Sequence, residues 1–194
     1  MANKEDILNK IRKNIKTKYD MPRLDDIQGI TYPDPLAQFI SMTETVGGKV
    51  VELVPGKDIN ELVRELYPEA KEIASNLPEM TIATRNPDTC GSPQALNGTD
   101  VGIIRGVFGV AENACVWIPQ AMEEKAVCFI SENLVILLKK SEIVNNMHEA
   151  YKRIEMNDYG YGTFISGPSK TADIAQVLVM GAQAARSATV VLLP

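Results

Sequence analysis

Histidine is almost missing from this 194-residue chain: His148 stands alone, beside three cysteines and one tryptophan. A single histidine excludes a multi-histidine metal site and a catalytic triad drawn from several histidines. Cys90, Cys115 and Cys128 are odd in number and widely spaced, with no C-x-x-C. Neither a disulfide framework nor an iron–sulfur cluster held by this chain alone is therefore expected. No apolar run approaches the ~20 residues that a membrane span requires. The opening residues lead into an amphipathic segment without an apolar h-region or a cleavage site, so no signal peptide is expected and the cytoplasm is the default location. Positive charge is not in excess either. Twenty Lys+Arg face twenty-five Asp+Glu, a net charge of -5, which argues against nucleic acid or an anionic membrane as the main partner. No internal repeat is present, which excludes a solenoid.

What is present is an ordinary globular composition, 45% hydrophobic and 23% charged. The length fits one domain with some extra, at about 150 residues per domain. Ile7, Leu8, Ile11 and Ile15 form an apolar stripe at helical spacing, opposite Lys4, Lys10, Arg12, Lys13, Lys16 and Lys18. The basic side reads either as a nucleic-acid or membrane contact or as the solvated face of a packing helix, and charge runs favour the second. Pro22, Gly29, Pro33 and Pro35 then break any regular pattern. The expected organisation is an arm over residues 1–20, a linker over 21–33 and a single domain over 34–194.

Beyond the linker, strands and helices alternate. A helix is expected from Asp34 to Val46, stopped by Gly47-Gly48, and a strand from Lys49 to Leu53. Asp58 caps a helix through Leu66, with room for a continuation to Leu77. Strands are expected at Met80–Thr84, Val101–Ile104, Cys115–Ile118, Ala126–Ile130, Leu134–Leu138, Thr163–Ile165 and Thr189–Leu193. Residues 85–98 form a long loop rich in turn formers. Ser141 caps a helix whose stripe runs from Ile143 to Ile154, and another helix follows Ser169, with Ile174, Val177, Leu178 and Gly181 on one face. This alternation is that of an α/β protein, a three-layer α/β/α domain around a mostly parallel sheet. Ligands of such sheets sit beyond the carboxyl ends of the strands.

Two segments carry residues suited to chemistry. At Ser166–Ile174 a strand is expected to run into a helix. Gly167 permits close approach, Ser169 caps the helix, and Lys170 adds positive charge to free amides, an anion seat. The plainer reading is an ordinary capped helix start, with Asp173 serving the dipole. At Asp100–Cys115, Glu112 and Arg105 are charged residues in an apolar, glycine-containing stretch. A carboxylate there is a base or nucleophile in a cleft, or half of a structural ion pair with Arg105. Cys90 lacks an adjacent activator. Cys115, Cys128 and Trp117 suit the core, and His148 the surface.

At these two segments the sequence resembles the lactate-utilisation (LUD-domain) family, also called LutC/YkgG-like. The resemblance rests on Asp100-Val101-Gly102-Ile103, on Gly109-Val110-Ala111-Glu112 and, most specifically, on Phe164 through Ile174, which reads almost without departure. It implies a fold like the NagB/RpiA/CoA-transferase group. It also implies an accessory role in oxidising L-lactate, beside partner proteins that carry the iron–sulfur clusters. Three departures stand out. The family continues its glutamate with Thr-Gly-Thr where this chain has Asn113-Ala114-Cys115. Lys125 stands where an arginine is usual. Gln183 occupies the region of a Gly-x-His-Gly-Pro histidine, and glutamine cannot shuttle a proton.

The site expected from all this has Glu112 as catalytic candidate. Gly109, Asn113, Ser166, Gly167, Ser169, Lys170, Thr171 and Asp173 are its ligand-binding candidates, with no metal ligand. The ligand is a small anion, and no cofactor is assigned to this chain itself. The partners are iron–sulfur proteins, and a homo-oligomer stays open. The alternatives are a free-standing enzyme of CoA-transferase-like fold using Glu112 on an acyl or phosphorylated substrate, and a ligand-binding relic.

Overall fold

The computed structural model describes residues 3–17, 19–20, 23, 27–155, 160–174 and 177–194. Helix α1 (Lys4–Asn14) closes on a capping box: Asp6 N–H donates to the Asn3 side chain at 2.8 Å, and the Asp6 carboxylate accepts from Asn3 N–H at 3.2 Å. None of its residues is buried, so the arm is held by local bonds and not by the core. Met1, Ala2, Lys18, Met21, Pro22 and Leu24–Asp26, which belong to the expected arm and linker, lie outside the described residues. The end of the expected linker is fastened down. Tyr32 N–H donates to Asn145 Oδ1 at 2.8 Å, and Asn146 Nδ2 donates to the Ile30 carbonyl at 2.7 Å.

Five strands make the central sheet: β1 (Lys49–Glu52), β2 (Ile73–Ala74), β3 (Val101–Arg105), β6 (Asn133–Lys139) and β11 (Ser187–Leu193). Their order is β1-β11-β6-β3-β2, and each neighbouring pair is parallel. Alternation along the strands sorts the core into two layers. Ile104, Leu134, Ile136, Leu138, Val190 and Leu192 point to one face, against Phe39 of α2 (Pro35–Thr45) and Val127 and Cys128 of α4 (Val127–Ile130). Val101, Ile103, Val135, Leu137 and Val191 point to the other, against Leu62 and Val63 of α3 (Ile59–Leu66). Helices thus cover both faces, as parallel sheets demand. Asp34 caps α2 and Asp58 caps α3, as their sequences lead one to expect.

A second, four-stranded sheet is mixed. It contains β4 (Phe108–Val110), β5 (Val116–Pro119), β7 (Ile143–Val144) and β8 (Gly162–Ile165) in the order β7-β4-β5-β8. Trp117 and Phe164 pack against each other across it, tilted by 53° with centroids 4.8 Å apart. The remaining strands, β9 (Lys170–Ile174) and β10 (Val177–Met180), form an antiparallel two-stranded ribbon.

Four expectations are corrected here. The segment after Ser169 is this ribbon and not a helix. Residues 126–130 carry α4 instead of a strand. Residues 80–84 are turns, while the strand of that region is β2, in the place of the helical continuation. Pro68 explains that shift, because α3 ends at Leu66 with Tyr67 as its C-cap. Finally Ser141 caps nothing. A 3-10 turn and β7 come first, and α5 (Met147–Arg153) is capped by Asn146, whose side chain accepts from Glu149 N–H.

Candidate functional site

The Glu112 turn joins β4 to β5. Residues 111–114 form its loop, closed by Val110 N–H donating to the Cys115 carbonyl at 2.8 Å and by Cys115 N–H donating to Asn113 Oδ1 at 3.1 Å. Ala114 closes it at φ 58, the one positive-φ residue besides glycine among the described residues. The resemblance implies a glycine at this position, and glycine would carry none of the backbone strain that Ala114 takes on here. Glu112 itself is occupied. Its N–H donates to the Asn145 carbonyl at 3.0 Å, and its Oε2 accepts from Met147 N–H at 3.0 Å, at the first turn of α5. Glu112 therefore serves as a helix cap supplied from another element, in a favourable position for a carboxylate. Arg105, expected as its partner, pairs with Glu79 instead.

Ser166 reaches the same turn. Its Oγ donates to the Asn113 carbonyl at 2.7 Å, and its side chain also lies against Cys115. Burial pushes the Cys115 thiol up, with the Glu112 charge adding to the effect and the Ser166 hydrogen bond opposing it. Cys115 is a thiol rather than a ready thiolate. Cys128, more deeply buried, is pushed up to about 11. Glu112, Asn113, Cys115 and Ser166 thus form one cluster.

The other candidates separate from it. Gly109 is a packing position: a Cβ there would lie 2.8 Å from both Phe39 and Ile143 side chains. Gly167, at φ +65, passes so close to the end of α2 that a Cβ would sit 2.9 Å from the Val46 carbonyl. Ser169 N–H donates to the Ala185 carbonyl, and Gly181 N–H donates to the Ser169 carbonyl, both at 2.9 Å. Lys170 Nζ donates to the Val46 carbonyl at the C-terminus of α2, where the helix dipole suits a cation. Thr171 pairs with Val179 in the ribbon. Asp173 lies in β9, and its side chain is outside the described residues. Since no helix starts after Ser169, the helical anion seat expected there is replaced by backbone ladder bonds.

Other motif residues are structural as well. Asp100 accepts from Lys71 N–H at 2.7 Å and from Glu72 N–H at 2.8 Å, tying the start of β2 to β3. These two backbone bonds hold its carboxyl below the usual carboxylate range. Gly102 lets α4 lie on β3: a Cβ there would be 2.3 Å from Ser131 Oγ.

The two remaining departures meet. A cavity of about 450 Å3 beside α4 is lined by Pro93, Glu124, Lys125, Ala126, Phe129, Ile130 and Gln183. Lys125 Nζ sits 4.5 Å from the centre of the Tyr161 ring, a cation–π contact. A second cavity of about 430 Å3 shares Ile130 and includes Asp100, Glu132 and Arg186. Those three residues immediately precede β3, β6 and β11, so this cavity opens at the amino ends of the strands and not at the carboxyl ends expected for the fold. Sequence reasoning passed over Phe129 and Ile130, whose apolar character gave no signal distinct from the core. Among the described residues no group of three or more His, Cys, Asp or Glu side chains is placed to hold a metal ion. No helix among them is long and apolar enough to cross a membrane.

The LUD domain family model matches residues 93–193, just over half of the chain. No curated protein matches it. Among solved structures, the crystal structure of a DUF162 family protein from Deinococcus radiodurans is similar, at TM-score 0.64 and 11% identity, covering 86% of this chain and 100% of the other. At that identity the likeness concerns the fold.

Proposed function

From the premise that the chain belongs to the LUD-domain family, we propose that it works in the cytoplasm as an accessory protein of organic-acid utilisation. In this reading it binds a small 2-hydroxy acid of the lactate type and acts beside partner proteins that carry the iron–sulfur clusters. The observation that carries the reading is the family match over residues 93–193, which spans β3 through β11, with the Glu112 turn and the Ser166–Ile174 segment inside it. The engagement of Glu112 supports an accessory role over a free-standing enzyme. A carboxylate that accepts the Met147 amide is spent on α5 and is poorly placed to serve as a general base.

The test is capture from cells of the source strain grown on L-lactate, with the tagged chain purified without oxygen. Iron–sulfur proteins should accompany it in near-equal amounts, and deletion of its gene should slow growth on L-lactate but not on glucose. A chain that purifies alone, from a strain whose deletion mutant grows normally on L-lactate, sinks the accessory role.

A further inference from the structure

The cavity beside α4 has a shape and a polarity that say more than lactate. Pro93, Ala126, Phe129 and Ile130 give it an apolar lining, and Lys125, Glu124 and Gln183 are its polar lining residues. An apolar lining holds the body of a ligand, while a few polar groups fix its orientation. Its volume of about 450 Å3 also exceeds what lactate fills. Six non-hydrogen atoms, at no more than roughly the 30 Å3 share of a water each, occupy less than about half of it.

Charge and hydrogen-bonding capacity narrow the class. Lys125 offers a cation whose amine sits over the Tyr161 ring, and a carboxylate is its natural partner. Glu124 beside it accepts a hydrogen bond but repels a second anionic group. The Gln183 amide both donates and accepts. A ligand with one carboxylate, one neighbouring hydroxyl and an apolar body matches all three polar groups and the apolar lining. A phosphorylated sugar would bring excess negative charge to Glu124 and leave Phe129 and Ile130 against polar atoms.

We infer that the α4 groove binds a 2-hydroxy acid with an aryl or medium-length alkyl body, its carboxylate on Lys125, its hydroxyl on Glu124 or Gln183, and its body on Phe129 and Ile130. This inference deepens the organic-acid reading above by naming the ligand class. It does not depend on the iron–sulfur partners.

Isothermal titration of the full chain tests it with four probes: L-lactate, 3-phenyllactate, 3-phenylpropionate, which lacks the hydroxyl, and 3-phenylpropan-1-ol, which lacks the carboxylate. Phenyllactate should bind at least ten-fold more tightly than lactate and several-fold more tightly than either truncated probe. Lys125→Met, at an exposed position, should weaken phenyllactate at least five-fold and leave the alcohol unaffected. Phe129→Ala should weaken phenyllactate at least ten-fold. Because that variant removes a half-buried ring, its fold is checked by circular dichroism, and if it is unfolded Lys125→Met alone decides. Equal affinity for lactate and phenyllactate, no binding of phenyllactate at 10 mM, or unchanged binding by Lys125→Met overturns the inference. The two readings fail separately. A chain that binds phenyllactate but captures no iron–sulfur protein loses the accessory role and keeps the groove; the converse result removes the groove alone.

Discussion

Strand β6 and strand β10 differ sharply in burial. In β6 the five residues Leu134–Leu138 are buried, with β3 on one side and β11 on the other. In β10 Val177 and Leu178 are 59% and 61% exposed, and the strand has β9 as its partner in a two-stranded ribbon. The first is held by apolar burial on two faces, the second by ladder bonds and by anchors outside it, namely Ser169 on Ala185 and Lys170 on Val46. Two-stranded ribbons are marginal on their own. The apolar core therefore lies in the parallel sheet, while the family-like Ser166–Ile174 segment leads into a ribbon whose second strand is largely exposed.

Substitutions sharpen that contrast. The largest effect is expected for Ile136→Ala, which empties a fully buried position between two parallel neighbours. It should lower the unfolding free energy by about 3 kcal/mol in urea titration. Asp100→Asn should cost about 1 kcal/mol at neutral pH, by weakening the two charge-assisted bonds to Lys71 and Glu72. The folded-state pKa of Asp100 lies below its unfolded value. Its contribution is therefore complete above about pH 4 and is lost as pH falls through the lower, folded value. Acid titration should accordingly show a shallower loss of stability for Asp100→Asn than for the wild type, and equal slopes would refute the assignment.

Ala114→Gly should act in the opposite direction, raising stability by about 0.5 kcal/mol through relief of the positive φ, less the packing of one buried methyl. A thermal midpoint below that of the wild type would show that the methyl outweighs the strain. Smallest of all is Leu178→Ser in the ribbon, expected to change stability by less than about 0.5 kcal/mol. A loss comparable to that of Ile136→Ala would mean that β10 is covered in solution, and would erase the distinction between the two strands.

How far the sequence could be read follows from the same contrast. Strands β1, β3, β6 and β11 were legible because each is a short apolar run bounded by turn residues. The helices α2 and α3 were legible because Asp34 and Asp58 mark their starts. The ribbon was not. Ile174, Val177, Leu178 and Gly181 fit one face of a helix, and Ser169 looks like its cap, so local pattern favoured the wrong period. What overrode it was the pairing of Thr171 with Val179 and Lys170 with Met180. The helix expected from Ser141 failed in the same way, because the pairing of Ile143 with Gly109 and Val144 with Val110 claimed its first turn for β7. Glu112 was legible as a charged residue in an apolar stretch. Its partner was not, since Met147 lies 35 residues away and meets it only through the β4–β7 pairing.

By itself, the sequence determined the α/β class, the parallel core and the family signature, because buried periodicity and helix caps are local properties of the chain. Tertiary structure alone decided that Glu112 caps α5, that the Ser166–Asp173 segment enters a ribbon instead of a helix, and that Lys125 and Gln183 share one groove. Each of those outcomes depends on groups far apart along the chain, and their hydrogen bonds and contacts exist only once the sheets have set the distances between them.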